Sequence, residues 1–155
     1  MNMKTESFFA VLKALQEREV EYILVGGLAV ILQGVPRVTE DLNIFVAKAE
    51  ANMGKLRAAL HSVFADESIA EITQSELVQY PVIRYGTPEN YYIAIMDRVG
   101  EAFTYDDLAF ETITALGVPI RVATKETRIK LKQDTLREID KADVIMLREK
   151  MLERK

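Results

Sequence analysis

A glycine pair between an apolar strand and a helix is the feature that most restricts how this chain can fold. Residues 21–25 are a short apolar run rich in strand-forming side chains, and Gly26-Gly27 follows at once. Residues 28–33 are apolar and compatible with a helix, which cannot continue through Pro36. Glycine permits a sharp backbone turn and the close approach of another group. The pattern predicts a strand that turns directly into a helix, with either packing or phosphate contact as the reason for the glycines.

The spacing of apolar residues and turn residues predicts the remaining elements. Helices are predicted over 5–18, 28–33, 50–64 and 124–155, the last as two helices or one bent helix. Strands are predicted over 21–25, 41–46, 81–85, 91–97, 112–116 and 119–122, and a helix start at Thr104. Strands and helices interleave first, and an antiparallel part follows, which favours an α/β or α+β fold with one mixed sheet flanked by helices and with C-terminal helices. With no repeat or linker, residues 1–155 are expected to form a single domain.

Composition excludes several kinds of site. The 155 residues include no cysteine, so disulfides and thiol-rich zinc sites are absent. His61 is the one histidine, which argues against a Ser-His-Asp hydrolase or a histidine-rich metal site, and we expect it to be structural. No apolar run reaches the roughly 20 residues of a membrane span. The N-terminus lacks the plan of a signal peptide, so we expect a cytoplasmic protein without membrane contact.

Charge is unevenly distributed along the chain. Residues 1–120 hold 9 basic and 17 acidic side chains, whereas residues 121–155 hold 11 basic and 7 acidic ones. The total is −4. A polyanionic partner is therefore expected to meet the C-terminal segment first.

Three polar side chains lie at the ends of predicted strands. Asp41 and Asn43 are two residues apart and project from the same face of their strand. Asp97 closes the strand that begins at residue 91. If the two strands are neighbours, the three side chains converge and suit Mg²⁺, beside a glycine turn that suits phosphate. Alternatively, Asp41 ends a strand, and Asp97 is a turn residue that pairs with Arg98 or Arg84.

Residues 25–46 resemble the signature of the nucleotidyltransferase superfamily, the polymerase-beta-like fold, and in particular AbiEii-type toxins and related small bacterial nucleotidyltransferase-like proteins. The pattern there is a strand, Gly-Gly, a helix, Arg-x-Thr, and Asp-x-Asp opening the next strand. Its counterparts in this chain are Gly26, Gly27, Arg37, Thr39, Asp41 and Asn43. The similarity extends over most of the chain, since residues 118–122 with Lys132, Arg137, Asp140 and Asp143 resemble the terminal pattern of that group.

The resemblance implies roles for these residues. Nucleoside triphosphate would be bordered by Gly26, Gly27, Arg37, Thr39 and Lys132. Mg²⁺ or Mn²⁺ would be held by Asp41, Asn43 and Asp97, with Asp41 and Asp97 catalytic and Asp97 helping to activate the attacking hydroxyl. Other interpretations stay open for the cations: Arg37 in a surface ion pair, and Lys132 with Arg137 on a solvated helix face.

Asn43 departs from the pattern, because the family has Asp there. A full charge about 4 Å from a divalent ion interacts by ~8 kcal/mol at an effective dielectric of 20, before desolvation. Asn43 is therefore either a neutral metal ligand or a lost one.

Three functions follow from this departure. The first is an enzyme that transfers a nucleoside monophosphate from NTP to an RNA (tRNA) or protein hydroxyl, of toxin–antitoxin type. The second is a catalytically weakened relative that binds a nucleotide or a partner protein. The third is a regulatory or assembly subunit, expected to be a homodimer in which the terminal helices make the contact.

Overall fold

The computed structural model describes residues 3–99 and 103–132 of the chain, the side chains of Met3 and Lys132 excepted. The helices are α1 (Met3–Glu17), α2 (Gly26–Leu32), α3 (Glu50–Phe64), α4 (Gln74–Gln79) and α5 (Lys125–Lys132). The strands are β1 (Tyr22–Val25), β2 (Leu42–Val46), β3 (Val82–Gly86), β4 (Tyr92–Met96), β5 (Arg98–Val99), β6 (Phe103–Thr104), β7 (Phe110–Ala115) and β8 (Val118–Ala123). Short 3₁₀ turns cover Glu67–Glu71 and Tyr105–Asp107.

Six strands form one mixed sheet in the order β3-β4-β2-β1-β8-β7, and β5 with β6 forms a separate two-stranded sheet. The β1–β2, β3–β4 and β7–β8 pairs are antiparallel, whereas β2–β4 and β1–β8 are parallel. The predicted mixed sheet flanked by helices is thereby confirmed. The strands predicted at 41–46 and 91–97 are neighbours in the sheet, as the β2–β4 pair, so the condition set for the three polar side chains is met.

The sheet buries its two faces differently. Leu42, Ile44 and Val46 of β2 are fully buried in the cluster that α1 and α3 cover. Because side chains alternate along a strand, Asn43 and Phe45 face the other way. Phe45 packs there in a smaller cluster that includes Leu108 of the chain beyond β6. The first face is therefore closed by helices, and the second retains open space beside the small cluster.

The sequence-based prediction is incomplete over one stretch and differs from the structure over another. Residues 66–79, for which the sequence predicts no element, form a 3₁₀ turn and α4, and Asp66 and Thr73 cap them by accepting backbone N–H bonds. The helix predicted to start at Thr104 is a single 3₁₀ turn. The predicted threonine cap is present, and the side chain of Asp107 accepts a hydrogen bond from the backbone N–H of Thr104. A local pattern gives the cap correctly, but the length of the helix depends on what it packs against.

The sequence predicts helical structure over 124–155, and α5 (Lys125–Lys132) is the part of it that the structure describes. Arg137, Asp140 and Asp143 lie outside the described residues, as does any second C-terminal helix. Over the ranges that the structure covers, no helix has both the length and the apolar character needed to cross a bilayer.

Candidate functional site

A cleft of about 790 Å³ lies on the face of the sheet opposite α1 and α3. Its lining comes from the β1–α2 turn, the segment before β2, the strands β2, β3 and β4, and α5. Of the residues that the sequence predicted for the site, the cleft is lined by Gly26, Gly27, Arg37, Thr39, Asp41 and Asn43. The structure therefore brings together six of the eight predicted site residues.

The glycine turn at the base of the cleft is packed tightly against other residues. Gly26 has φ +78°, and a Cβ built on it would lie 2.9 Å from Cβ of Asn43. A Cβ on Gly27 would lie 2.8 Å from Cβ of Thr39 and 3.5 Å from Cζ of Arg37. Real Cβ atoms do not approach so closely, and a left-handed φ is unfavourable for other residues. The glycines are thus required for packing, and the same packing places Asn43, Thr39 and Arg37 around the turn.

Asp41 is held at the edge of the cleft by hydrogen bonds. Its Oδ1 accepts from the backbone N–H of Tyr92 at 3.0 Å, and its backbone oxygen accepts from Thr39 Oγ1 at 3.1 Å. Asp41 and Asn43 are both half-buried. The expected common projection of Asp41 and Asn43 into one site is present, since both line the cleft.

Asp97 does not join them, and the expected convergence of three side chains is wrong. The strands β2 and β4 run parallel with Leu42 opposite Ile93, so that Asp41 lies at the start of this pair and Asp97 just beyond its end. Five residues of strand separate Tyr92 from Asp97, or about 16 Å. Asp97 is buried outside the cleft and forms an ion pair with Arg98 at 3.0 Å, which is the alternative that the sequence left open.

Two arginines of the cleft were not predicted as site residues. Arg128 of α5 is 1% exposed, and its Nη2 donates to Oε1 of Gln33. The sequence could have identified Arg128 as a site residue, because Arg128 precedes Lys132 by four residues and lies on the same face of the helix. Arg84 of β3 lines the opposite side of the cleft. The side chain of Lys132 itself lies outside what the structure describes.

Tyr91, which precedes β4, and Tyr92, its first residue, were both assigned to strand packing but have two different roles. Tyr91 is buried, bonds Ser7 through its hydroxyl at 2.7 Å, and has its pKa raised to about 12 by burial. Tyr92 lines the cleft and is 46% exposed, with Cζ of Arg84 at 4.4 Å from its ring centroid. Alternation along the strand could have separated the two roles. His61, expected to be structural, is exposed on α3 and is not part of the cleft lining.

The fold can be compared with solved structures. The crystal structure of the lincosamide antibiotic adenylyltransferase LnuA with lincomycin bound matches with a TM-score of 0.58 at 16% identity, over 96% of this chain and 98% of that chain. The chain has a nucleotidyltransferase-like fold. At this identity the similarity shows the fold alone.

Two further structures match the nucleotidyltransferase-like fold less well. An antigenic nucleotidyltransferase-like protein from Paracoccidioides brasiliensis gives a TM-score of 0.49 at 15% identity, over 93% of this chain and 74% of that one. JHP933 from Helicobacter pylori gives 0.43 at 20% identity, over 83% and 54%. The sequence matches no protein-family model and no curated protein.

The nucleotidyltransferase-like fold is present without the full set of metal ligands that the sequence resemblance implies, because Asp97 does not join Asp41 and Asn43. Parallel neighbours share a face, and the residue opposite Asn43 on β4 is Ala94. The cleft face of β4 carries Tyr92, Ala94 and Met96, none of them a carboxylate. Among the residues described, no group of three histidine, cysteine, aspartate or glutamate side chains could hold a metal ion. The residues present do not fit the expected three-ligand Mg²⁺ or Mn²⁺ site.

Proposed function

We propose that the cleft binds a nucleoside triphosphate and that metal-dependent nucleotidyl transfer is lost or strongly reduced. The observation that carries this proposal is the side-chain set on the cleft face of β2 and β4. Asp41 is followed there by Asn43, with Tyr92 and Ala94 beside them on β4. A glycine turn that lies against Arg37 and Thr39 is thus combined with an incomplete set of metal ligands.

The polar end of the cleft offers groups suited to phosphate. Arg37 and Thr39 lie against Gly27, and Asn43 lies against Gly26. Arginine binds phosphate through a planar fork of N–H donors. The described lining contains three arginines, with Arg84 and Arg128 in addition to Arg37, against the two acidic residues Glu40 and Asp41. This excess of positive charge favours an anionic ligand.

Asn43 changes how a phosphate would be held. A carboxylate at this position accepts hydrogen bonds only and needs a cation between itself and a phosphate oxygen. The amide of Asn43 has an N–H₂ group that donates to such an oxygen directly. Asn43 therefore offers a hydrogen-bond donor to phosphate where a carboxylate would offer a metal ligand. We expect the nucleotide to bind without Mg²⁺.

Calorimetric titration with ATP, GTP, CTP and UTP tests the proposal, in EDTA and in Mg²⁺. The wild-type protein is expected to bind at least one of them in EDTA, with little change on adding Mg²⁺, and to transfer no label from NTP to RNA or protein. Asn43→Asp is expected to make binding dependent on Mg²⁺ by restoring a carboxylate. Gln16→Glu is the matched control, since it adds the same charge on the exposed side of α1.

The opposite results separate the competing functions. Failure to bind any nucleotide under either condition refutes the proposal. Label transfer to bulk RNA (tRNA included) or to a protein, abolished by Asp41→Ala, supports a toxin-type enzyme instead. The toxin–antitoxin relationship, the acceptor, a homodimer and the cytoplasmic location stay predictions from the sequence.

A further inference from the structure

The wall of the cleft farthest from the glycine turn is formed by the β3–β4 hairpin. Arg84 is opposite Ala94, and Gly86 is opposite Tyr92, so Arg84 and Tyr92 are diagonal neighbours on one face of the pair. The guanidinium carbon of Arg84 lies 4.4 Å from the ring centroid of Tyr92. At this distance the cation and the aromatic ring interact directly. The guanidinium therefore lies over one face of the ring, and the two form a stacked cation–aromatic pair in the cleft lining.

The ring of Tyr92 lies close to β3 and is partly open to the cleft. A Cβ on Gly86 would lie 3.4 Å from Cε1 of Tyr92, so the absence of a side chain there lets the ring approach that strand. Val82 and Val99, both exposed, line the cleft farther along, since Val82 is opposite Met96 and Gly86 is opposite Tyr92. An aromatic ring that remains nearly half exposed in a cleft is typical of a surface that binds a flat apolar group.

The strand order sets the distance between the two ends of the cleft. The order β3-β4-β2-β1 places Tyr92 two strands away from the glycine turn that ends β1. Neighbouring strands are about 4.8 Å apart, so this separation is about 10 Å. Asp41, which precedes β2, and Asn43 on β2 lie between the two ends. A ligand that spans the cleft therefore has a phosphate end and a flat apolar end.

We propose that Arg84 and Tyr92 form the stacking subsite for the nucleobase of the bound nucleotide. This proposal rests on nucleotide binding as proposed above and assigns the orientation of the ligand, with its phosphates at Gly26-Gly27. Nucleobases stack on aromatic rings and on guanidinium planes, and this stacking does not depend on which hydrogen-bonding groups the base carries. The subsite therefore favours larger bases, and purine nucleotides bind more tightly than pyrimidine nucleotides.

Substitution of Tyr92 can test the subsite without disturbing Asp41. The hydrogen bond to Asp41 comes from the backbone N–H of Tyr92, so Tyr92→Leu retains it. Tyr92→Leu is expected to weaken ATP binding on the order of 10-fold, as for the loss of one stacked base, and to leave inorganic triphosphate binding unchanged. Tyr92→Phe retains the ring and is expected to bind ATP like the wild type. Tyr80→Leu is the matched control, because Tyr80 is also exposed and does not line the cleft.

Calorimetry with ATP, CTP and inorganic triphosphate in EDTA distinguishes the outcomes. If the wild type binds neither nucleotide nor triphosphate, nucleotide binding fails and the subsite fails with it. If the wild type binds triphosphate as tightly as ATP, or if Tyr92→Leu binds ATP like the wild type, phosphate binding stands and the subsite is wrong. Equal losses for ATP and triphosphate in Tyr92→Leu also overturn the subsite, since a stacked base cannot account for them.

Discussion

The backbone N–H of Tyr92 donates a hydrogen bond to Oδ1 of Asp41 at 3.0 Å and thereby joins the first residue of β4 to the residue before β2. The acidic residue that the sequence resemblance assigns to metal binding is thus also a structural acceptor at the start of a parallel strand pair. Its two roles can be separated, because an amide oxygen accepts the same hydrogen bond without a charge.

Asp41→Asn is expected to strengthen nucleotide binding in EDTA by about 3- to 10-fold. Without a metal ion, the carboxylate repels the phosphates, and a like charge a few ångströms away in a partly solvated cleft contributes about 1 kcal/mol. Calorimetric titration with ATP measures the change. Glu71→Gln, an exposed acidic residue outside the cleft lining, is the control and is expected to bind as the wild type does. Unchanged or weaker binding of Asp41→Asn in EDTA contradicts this expectation, and weaker binding seen only in Mg²⁺ identifies Asp41 as a metal ligand.

Gly26→Ala is expected to lower the free energy of unfolding by about 2–4 kcal/mol. The φ of +78° is unfavourable for alanine by roughly 1–2 kcal/mol, and the overlap with Cβ of Asn43 adds a similar amount. Urea denaturation measures the change.

Two other glycines separate the contributions to that loss. Gly117 has φ +76° with no atom within 4 Å of a built Cβ, so Gly117→Ala is expected to show the backbone effect alone. Gly54 lies inside α3 with only Arg57 near, at 3.8 Å, so Gly54→Ala is expected to stabilise by about 0.5–1 kcal/mol. Equal losses for Gly26→Ala and Gly117→Ala would show that Asn43 moves away without cost.

Gln33→Leu is expected to destabilise the protein by about 2–4 kcal/mol. Gln33 is buried at the end of α2, accepts from Nη2 of Arg128, and donates to the backbone oxygen of Ala123 at 3.0 Å. Leucine at this position removes a hydrogen-bond acceptor from the buried guanidinium of Arg128. This loss lowers the free energy of unfolding more than the loss of an exposed hydrogen bond does. Urea denaturation of Gln33→Leu is compared with Gln16→Leu on the exposed side of α1, which is expected to change stability by less than about 0.5 kcal/mol. A similar small change in both variants would argue against the buried bond as a stabilising contact.

Alkaline pH is expected to destabilise the fold through its buried tyrosines. Burial raises the pKa of Tyr91 from 10.0 to about 12, and it also raises the pKa values of Tyr22, Tyr85 and Tyr105. A raised pKa in the folded state means that the contribution to stability is complete below pH 10 and is lost as the pH rises towards 12. Denaturation at a series of pH values measures this decline.

The variant Tyr91→Phe checks the assignment to Tyr91. It loses the bond to Ser7, which is expected to reduce stability by about 0.5–1.5 kcal/mol at neutral pH. Its stability is then expected to fall less steeply than that of the wild type between pH 10 and 12. An unchanged slope would show that Tyr91 does not carry the effect.

The sequence predicted those parts of the site that depend on neighbouring residues in the chain. Gly26 and Gly27 follow directly from the end of β1, and the shared face of Asp41 and Asn43 follows from alternation along β2. The position of Asp97 required the direction and the register of β4 relative to β2. Both are properties of the assembled sheet, and in a parallel pair the start of one strand meets the start of the other, so the end of β4 lies far from Asp41.

The contact between Arg84 and Tyr92 was missed for a related reason. These residues are eight positions apart and meet only because the β3–β4 hairpin pairs Gly86 with Tyr92. A turn one residue longer or shorter would place them on opposite faces. The sequence showed two adjacent tyrosines in a strand, and only the register determines which of them enters the cleft.

The strand β4 is anchored at both of its ends. The first residue of β4 is hydrogen-bonded to Asp41. Just after the last residue of β4, Arg98 pairs with Asp97 and donates to the backbone oxygen of Leu77 at 2.7 Å. The wall of the cleft is consequently preorganised, and a ligand does not have to order it on arrival. Association is then expected to proceed in one kinetic phase, at a rate that rises linearly with ligand concentration and shows no plateau from a slow closing step.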